Sequence, residues 1–233
     1  MTILGNRANL WFLFFFLGLL GACTENSPAS IEVSDTQGQK NKPDSFRILI
    51  LGDSLTEGYG VSPNQAYPHL LEQKLNQALS PNEQPYEVVN GGVTGSTTSG
   101  GASRIDWYLK QPPEFLIVAL GGNDGLRGIP SEKSKENLKS IVVRSQEKKV
   151  PVMLAGMKMP PNYGPEYRKT FERMFPELAE ELQIPLLPFL LEGVGGNPKM
   201  NLPDRIHPNA AGHQIICQTV HKHLIKHLPK LKK

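Results

Sequence analysis

The sequence has little cysteine and little net charge, and both shortages narrow the classes of protein to which it can belong. Its 233 residues include 2 cysteines, too few for a disulfide framework. The formal net charge of +3 is dispersed along the chain and gives no basis for nucleic-acid binding. Histidine, cysteine and carboxylate residues do not occur together at metal-ligand spacing. We therefore expect no metal, no cofactor and no nucleic-acid partner.

Long apolar runs are also scarce, and the longest lies near the N-terminus, where it predicts an export signal. Residues 10–20 are apolar and follow a short positive region at Arg7. Their length fits a signal peptide better than a membrane span. The run ends in Leu20-Gly21-Ala22-Cys23, which resembles the lipobox of bacterial lipoproteins. We predict that residues 1–22 are a lipoprotein signal peptide and that Cys23 is lipidated. An ordinary signal peptide, or an N-terminal anchor helix, is the alternative.

The segment after this cysteine is polar and predicts a flexible tether as far as residue 44. About 20 residues of such a chain reach about 25 Å on average. We therefore expect a monomeric domain, 45–233, held close to a membrane in the bacterial cell envelope and facing the periplasm or the exterior. Cys217 lies in an apolar helical pattern. We interpret it as a small core residue rather than as a disulfide partner of Cys23.

From residue 45 onward, short apolar runs alternate with amphipathic stretches. The runs predict five strands, at 47–51, 86–90, 114–120, 151–155 and 185–190. The stretches between and after them predict helices at 64–79, 102–110, 131–149, 166–182 and 209–228. This alternation predicts an α/β fold, a three-layer αβα sandwich around a five-stranded parallel sheet. We expect the flavodoxin-like strand order 2-1-3-4-5, which puts a ligand site at the carboxyl ends of the first and third strands.

A candidate nucleophile stands at the end of the first predicted strand, in Gly52-Asp53-Ser54. A serine hydroxyl needs a base to remove its proton. Asp204 and His207 are three residues apart, so that one turn could hold the carboxylate against the imidazole while the other ring nitrogen faces Ser54. The alternative is that Gly, Asp and Ser serve only as turn residues at the strand end. His213 is the one rival base, although it has no aspartate three residues before it.

Two further loops at strand ends offer hydrogen-bond donors for an oxyanion. One is the glycine-rich loop 91–101, in which glycines allow a backbone N–H to approach a ligand closely. The other, 121–124, carries the side-chain amide of Asn123. Phosphate binding is the alternative for the glycine-rich loop, although neither nucleotide-binding glycine pattern occurs there.

Four blocks together resemble those of the GDSL, or SGNH, hydrolase family. They are Gly52-Asp53-Ser54-Leu55, the loop around Gly95, Gly122-Asn123-Asp124 and Asp204-x-x-His207. The resemblance runs from about residue 46 to residue 227 and is strongest to bacterial arylesterases and the periplasmic thioesterase I/lysophospholipase group. It implies the SGNH hydrolase fold, with Ser54 as nucleophile, His207 as base and Asp204 as its orienting partner. It also implies an oxyanion hole made of the Ser54 and Gly95 N–H groups and the Asn123 side chain.

The chain departs from this family pattern at two positions. Ser96 stands where the family often has aspartate, and Arg205 stands where it commonly has glycine. If the second position has a positive φ, Arg205 is strained, and its charge lies near the triad. Asp53 is expected either to orient the serine loop or to act as a turn residue, and Asp124 to brace the Asn123 loop.

After the fourth predicted strand comes a candidate acyl-binding groove, formed by Met157, Met159, Pro160 and Tyr163. Core packing is the alternative for the two methionines, and family likeness makes residues 125–130 a candidate lid. The resulting hypothesis is a lipid-anchored serine esterase that acts on carboxylic esters or thioesters, such as aryl esters or lysophospholipids. A carbohydrate O-deacetylase and a non-catalytic envelope lipoprotein on a hydrolase fold are the alternatives.

Overall fold

The computed structural model describes residues 45–228. The predicted signal peptide, the lipidated Cys23 and the tether lie outside these residues and remain predictions. Within 45–228, no helix combines the length and the apolar character that crossing a bilayer requires.

A sheet of five parallel strands forms the centre of the domain, in the order β2-β1-β3-β4-β5. The strands are β1 (Phe46–Gly52), β2 (Tyr86–Gly92), β3 (Phe115–Ala119), β4 (Val152–Ala155) and β5 (Leu186–Leu187). The predicted fold class and strand order are therefore confirmed. β3 is buried at every position, as its unbroken apolar sequence predicts for a central parallel strand covered on both faces.

Seven α-helices and two short 3-10 helices, Pro63–Gln65 and Pro161–Tyr163, accompany the strands within residues 45–228. The α-helices are α1 (Ser54–Glu57), α2 (Tyr67–Gln77), α3 (Thr98–Tyr108), α4 (Gly122–Leu126), α5 (Ser131–Glu147), α6 (Pro165–Glu181) and α7 (Ala210–Leu224). α2 packs against α7, whereas α5 packs against both α3 and α6. Their apolar stripes meet the sheet in one continuous core, to which α2 contributes Leu71 and α6 contributes Phe171 and Phe175. Cys217 lies buried on α7.

The structure differs from the predicted elements in three respects. The last strand is only Leu186–Leu187 rather than 185–190, because Pro188 has no N–H with which to extend the ladder. The short helices α1 and α4 begin directly after β1 and β3, in stretches that the sequence predicts as loops. The helix predicted at 102–110 begins at Thr98, inside the glycine-rich stretch, because the Thr97 hydroxyl caps it. These differences lie at or near the carboxyl edge of the sheet, where the candidate site is built.

Candidate active site

The strand-to-helix turn after β1 presents Ser54 at the mouth of a cleft. Asp53 caps α1, with its carboxylate accepting the N–H of Leu55 at 3.0 Å. Gly52 packs so closely on the side chain of Thr56 that a Cβ would overlap it. Ser54 therefore becomes the first residue of a short helix that ends at Gly58 in the left-handed conformation, with φ of 90°. The turn thus holds the hydroxyl on a rigid element at the end of a central strand.

Ser54, His207 and Asp204 form one chain of hydrogen bonds. His207 Nδ1 lies 2.7 Å from Asp204 Oδ2, and His207 Nε2 lies 3.0 Å from Ser54 Oγ. An ionised carboxylate only accepts hydrogen bonds, so Nδ1 carries the proton and the lone pair of Nε2 faces the serine hydroxyl. The predicted base is therefore in position to take the hydroxyl proton.

The carboxylate of Asp204 is held in its charged form by the turn that carries it. Partial burial alone would raise its pKa, but hydrogen bonds from the N–H groups of His207 and Ile206 outweigh this and lower the pKa to about 2. Those N–H groups donate to Oδ1 at 3.0 and 2.9 Å, which leaves Oδ2 for the imidazole. Within this turn Arg205 has φ of 61°, so the strain expected for a side chain at this position is present.

The candidate oxyanion donors lie on two loops that are joined by one amide. Asn123 donates from Nδ2 to the carbonyl of Ser96 at 3.0 Å, and the same nitrogen lies 3.5 Å from Asp53 Oδ2. Gly95 adopts φ of 75°, and its carbonyl accepts from Arg127 at 3.0 Å. Gly92, by contrast, packs directly on the backbone of Glu57. The structure therefore separates a packing glycine from one whose Cβ position is open apart from Arg127 at 3.5 Å.

Asp53 is a buried acid beside these donors. It is 1% exposed, and burial raises its pKa from 3.8 to about 6, partly offset by the hydrogen bond from Leu55. Its carboxylate lines the cleft and faces the Asn123 amide. The position fits the role of orienting the serine loop.

Sequence reasoning missed Arg104, which ties three parts of the site together. Its guanidinium donates to Ser96 Oγ at 2.6 Å and to the carbonyls of Gly52 and Gly91 at 2.6 and 3.1 Å. Ser96 thus occupies the family's aspartate position and keeps one hydrogen bond to an arginine on α3. No local pattern could have found this residue, because it acts on segments 13 and 52 residues away.

Asp124 braces the Asn123 loop, as expected from the sequence. It is buried, and its two oxygens accept from the Thr98 amide, the Thr98 hydroxyl and the Ser134 hydroxyl at 2.8, 2.6 and 3.0 Å. These bonds fix the start of α4 to the first residues of α3 and α5. They also satisfy a buried charge, which would otherwise be costly.

A cleft of about 560 Å³ opens beside Ser54 and His207. Met157, Met159 and Pro160 line it, together with Phe189 and Leu191. Both methionines are also nearly fully buried and belong to the core, so the acyl-groove and core-packing interpretations overlap at these positions. The cleft joins a largely apolar wall to the triad, which suits an acyl chain.

Tyr163 is not among the residues that line this cleft, so its predicted place in the groove is corrected. Its ring packs on the core, and its hydroxyl donates to the carbonyl of Leu126 at 3.0 Å. The hydroxyl of Tyr167 likewise donates to Ile129 at 3.0 Å. Tyr163 is close in sequence to Met159, but the chain turns at residues 161–163 and the Tyr163 side chain bonds to the backbone of α4 instead of lining the cleft. These two hydrogen bonds fasten the candidate lid, residues 125–130, to the tyrosines.

His207 and His213, the two candidate bases, have different surroundings. Tyr59, exposed between the left-handed Gly58 and Gly60, places its ring 4.5 Å from that of His207. His213 is fully buried and accepts the N–H of Tyr67 at 3.3 Å, and burial lowers its pKa to about 4. The rival base therefore contacts α2 rather than Ser54.

Among residues 45–228, no group of three or more histidine, cysteine and carboxylate side chains could hold a metal ion.

The chain is similar to known esterases over most of its length. Residues 50–215 match the GDSL-like Lipase/Acylhydrolase family. An arylesterase of Vibrio mimicus is 36% identical over 79% of this chain and 90% of its own length. Thioesterase 1/protease 1/lysophospholipase L1 of Escherichia coli K12 is 37% identical over 76% of this chain and 82% of its own.

Solved structures agree with this assignment. The psychrotrophic esterase EstA from Pseudoalteromonas sp., in a structure inhibited by monoethylphosphonate, superposes with a TM-score of 0.73 at 32% identity. The match covers 78% of this chain and 98% of that one. The chain therefore belongs to the GDSL-like lipase/acylhydrolase family and has the SGNH hydrolase fold.

Proposed function

We propose that this ester hydrolase works through Ser54 as a nucleophile, with His207 as general base and Asp204 as the orienting carboxylate. The observation that carries the proposal is the unbroken hydrogen-bonded chain from Asp204 Oδ2 through the imidazole to Ser54 Oγ, at 2.7 and 3.0 Å. Each distance lies within the range that proton transfer requires. Support also comes from the phosphonate-inhibited relative, because phosphonates mimic the tetrahedral intermediate of acyl transfer.

In the first half of the proposed reaction, Ser54 Oγ attacks the carbonyl carbon while its proton passes to His207 Nε2. The oxyanion accepts hydrogen bonds from the N–H groups of Ser54 and Gly95 and from Asn123 Nδ2. One N–H of Asn123 already binds the Ser96 carbonyl, and the other faces Asp53 at the longer distance of 3.5 Å. His207 then protonates the leaving alcohol or thiol, the bond to it breaks, and an acyl-enzyme remains.

The second half reverses these proton movements with water as the nucleophile. His207 Nε2 removes a proton from water, the resulting hydroxide attacks the acyl carbon, and the oxyanion forms in the same hole. Ser54 Oγ leaves, takes the proton from His207, and the carboxylic acid is released. Asp204 stays charged throughout, because hydrogen bonding keeps its pKa near 2.

The proposed substrates are aryl esters, lysophospholipids and, as an incidental activity, thioesters. The relatives carry these activities in their names, and the cleft supplies an apolar wall for an acyl chain beside Ser54. We further propose that the enzyme acts in the bacterial cell envelope, tethered through a lipid on Cys23. Because acyl-CoA is cytoplasmic, an envelope location favours lysophospholipids and other small esters as physiological substrates.

The nucleophile is tested with p-nitrophenyl butyrate hydrolysis and fluorophosphonate labelling. Ser54→Ala should abolish both, whereas Ser103→Ala, which removes an exposed hydroxyl on α3, should change neither. Full labelling of the Ser54→Ala protein would refute the assignment. A wild-type protein that binds lipid but neither labels nor hydrolyses any ester would favour the non-catalytic alternative.

The tether is tested by fractionating cells that express the full chain. Cys23→Ser should move the protein from the membrane fraction to the soluble fraction. Membrane retention of this variant, with no lipid on residue 23 by mass spectrometry, would refute the lipidation site.

A further inference from the structure

The cleft beside Ser54 carries positive charge that the ester-hydrolysis mechanism does not use. Lys158, Arg168 and Arg205 all line it, alongside the apolar side chains of the groove. Asp53 is the one acidic residue among the lining residues, and it is buried at the base of the serine turn. A ligand in this cleft therefore meets an apolar wall and an excess of cations.

The three cations differ in how far other groups satisfy them. Arg168 donates to the carbonyl of Met159 at 3.0 Å and lies 3.7 Å from a carboxylate oxygen of Glu172. Lys158 lies over an aromatic face, with Nζ 5.0 Å from the centroid of the Phe189 ring. Within the part of the chain that the structure describes, neither Lys158 nor Arg205 has a carboxylate within 4.0 Å. Two cations at the cleft thus have no carboxylate partner among residues 45–228.

Arg205 is held in a conformation that disfavours any side chain. Its φ of 61° lies in the left-handed region, where glycine is preferred. The turn itself is complete without the guanidinium, because its hydrogen bonds run through backbone groups and through Asp204. A strained side chain beside a functional site suggests that it has a role there. The charge next to the triad is the property that glycine would not supply.

We propose that Arg205 and Lys158 bind an anionic group carried by the substrate, so that the preferred esters are anionic single-chain amphiphiles. The apolar wall of Met157, Met159 and Leu191 takes the acyl chain, and the two cations take a phosphate or carboxylate on the same molecule. This inference rests on the proposed function, since it identifies the substrate class of the same site. The anionic group belongs to the ester itself. Free inorganic phosphate is the alternative ligand for the same two cations.

The test compares two single-chain esters of equal acyl length, the anionic lysophosphatidylglycerol and the uncharged 1-monoacylglycerol, which lacks the phosphate. Both are assayed below their micellar concentrations, so that no charged interface forms. We expect the ratio of kcat/KM, anionic over uncharged, to be about 5 to 10 at low ionic strength, as a charge pair near a surface allows. The ratio should fall towards 1 at about 0.5 M salt, where the screening length is only a few ångströms.

Three variants separate charge recognition from changes in the turn. Arg205→Gly and Lys158→Gln, which alter different parts of the cleft, should each lower the ratio at least about 2-fold. Lys149→Gly is the matched control, since Lys149 is also a cation with φ of 61°. It precedes β4 and so lies at the opposite edge of the sheet from the cleft. Its removal relieves the same strain and loses the same charge, and the ratio should not change.

The outcomes keep this inference distinct from the proposed function. A wild-type ratio near 1, or a ratio that neither cleft variant lowers, would overturn the anion site while fluorophosphonate labelling and ester hydrolysis persist. Inhibition of wild type by micromolar inorganic phosphate, relieved in Arg205→Gly, would assign the cations to free phosphate and also overturn it. Absence of labelling and of all ester turnover would instead overturn the proposed function.

Discussion

Burial of the Asp53 carboxyl beside the oxyanion donors predicts a specific dependence of stability on pH. Its pKa rises from 3.8 to about 6 on folding, because burial penalises the charged form more than the hydrogen bond from Leu55 favours it. Between these pH values the native state binds more protons than the unfolded state. Stability therefore falls as the pH rises from about 4 through about 6. Asp53→Asn removes the ionisation and should remove this loss.

The size of the effect follows from the pKa change. A change from 3.8 to about 6 corresponds to about 3 kcal/mol of unfolding free energy. At pH 4 the wild type has lost only about 0.6 kcal/mol of this, so the difference between Asp53→Asn and wild type reflects mainly the altered contacts of the side chain. By pH 7.5 the wild type has lost up to about 3 kcal/mol that the variant keeps. We therefore expect the stability difference to move by about 2 to 3 kcal/mol in favour of the variant.

Urea unfolding of wild type and variant at half-unit intervals between pH 4 and pH 7.5 measures this difference. Asp106→Asn serves as the control, because Asp106 is exposed and pairs with Arg144 on the surface at 2.9 Å. Its difference curve should move by less than about 1 kcal/mol. We also expect kcat of Asp53→Asn to fall, since the Asn123 amide would face another amide nitrogen or lose its carboxylate acceptor.

A flat difference curve for Asp53→Asn, or one that favours wild type as the pH rises, would rule out a raised pKa for the Asp53 carboxyl. Either result would mean that the carboxylate is stabilised in the native state, against the burial on which the prediction rests. A curve with the expected sign but a midpoint near pH 4 would show that water reaches the carboxyl group in the folded protein.

Further substitutions test the oxyanion loops. Asn123→Ala should lower kcat about 100- to 1000-fold through loss of one oxyanion donor, measured with p-nitrophenyl butyrate; a loss below about 3-fold would remove it from the hole. Gly95→Ala and Gly128→Ala, at φ of 75° and 66°, should each cost about 1 kcal/mol in urea unfolding, but only the first should reduce kcat. Equal kcat losses would contradict a special role for Gly95. Ser96→Asp should raise the melting temperature by giving Arg104 an ionic partner; an unchanged or lower value would contradict this.

The fold was predictable because its signals are local. A short apolar run predicts each buried strand, and an amphipathic pattern predicts each helix that covers the sheet. Their alternation leaves few topologies other than a parallel sheet with helices on both faces. The strand order and the edge that carries Ser54 follow from the same rules. The length of β5 does not follow from these rules, because the run 185–190 remains apolar beyond Pro188. Only the pairing with β4 shows where the ladder stops.

Part of the candidate site was predictable from the sequence, and part was not. Ser54, Asp204 and His207 could be named from residue type and spacing, since a triad needs these groups whatever surrounds them. Residue type could not distinguish Gly95 from Gly92 without the family resemblance. In the structure one glycine is held open with positive φ, and the other is packed on the backbone of Glu57.

Taken alone, the amino-acid sequence determined the layered fold and the residues proposed as nucleophile, base and orienting carboxylate, because periodicity and motif spacing are properties of short segments. Tertiary structure alone decided that Arg104 holds Ser96, that the Tyr59 ring lies against His207, and that Tyr163 bonds to Leu126 rather than lining the cleft. These relations join residues from different elements, often far apart in the chain, and depend on how the elements pack. The same packing buries Asp53 and, among residues 45–228, leaves Lys158 and Arg205 without a carboxylate within 4.0 Å.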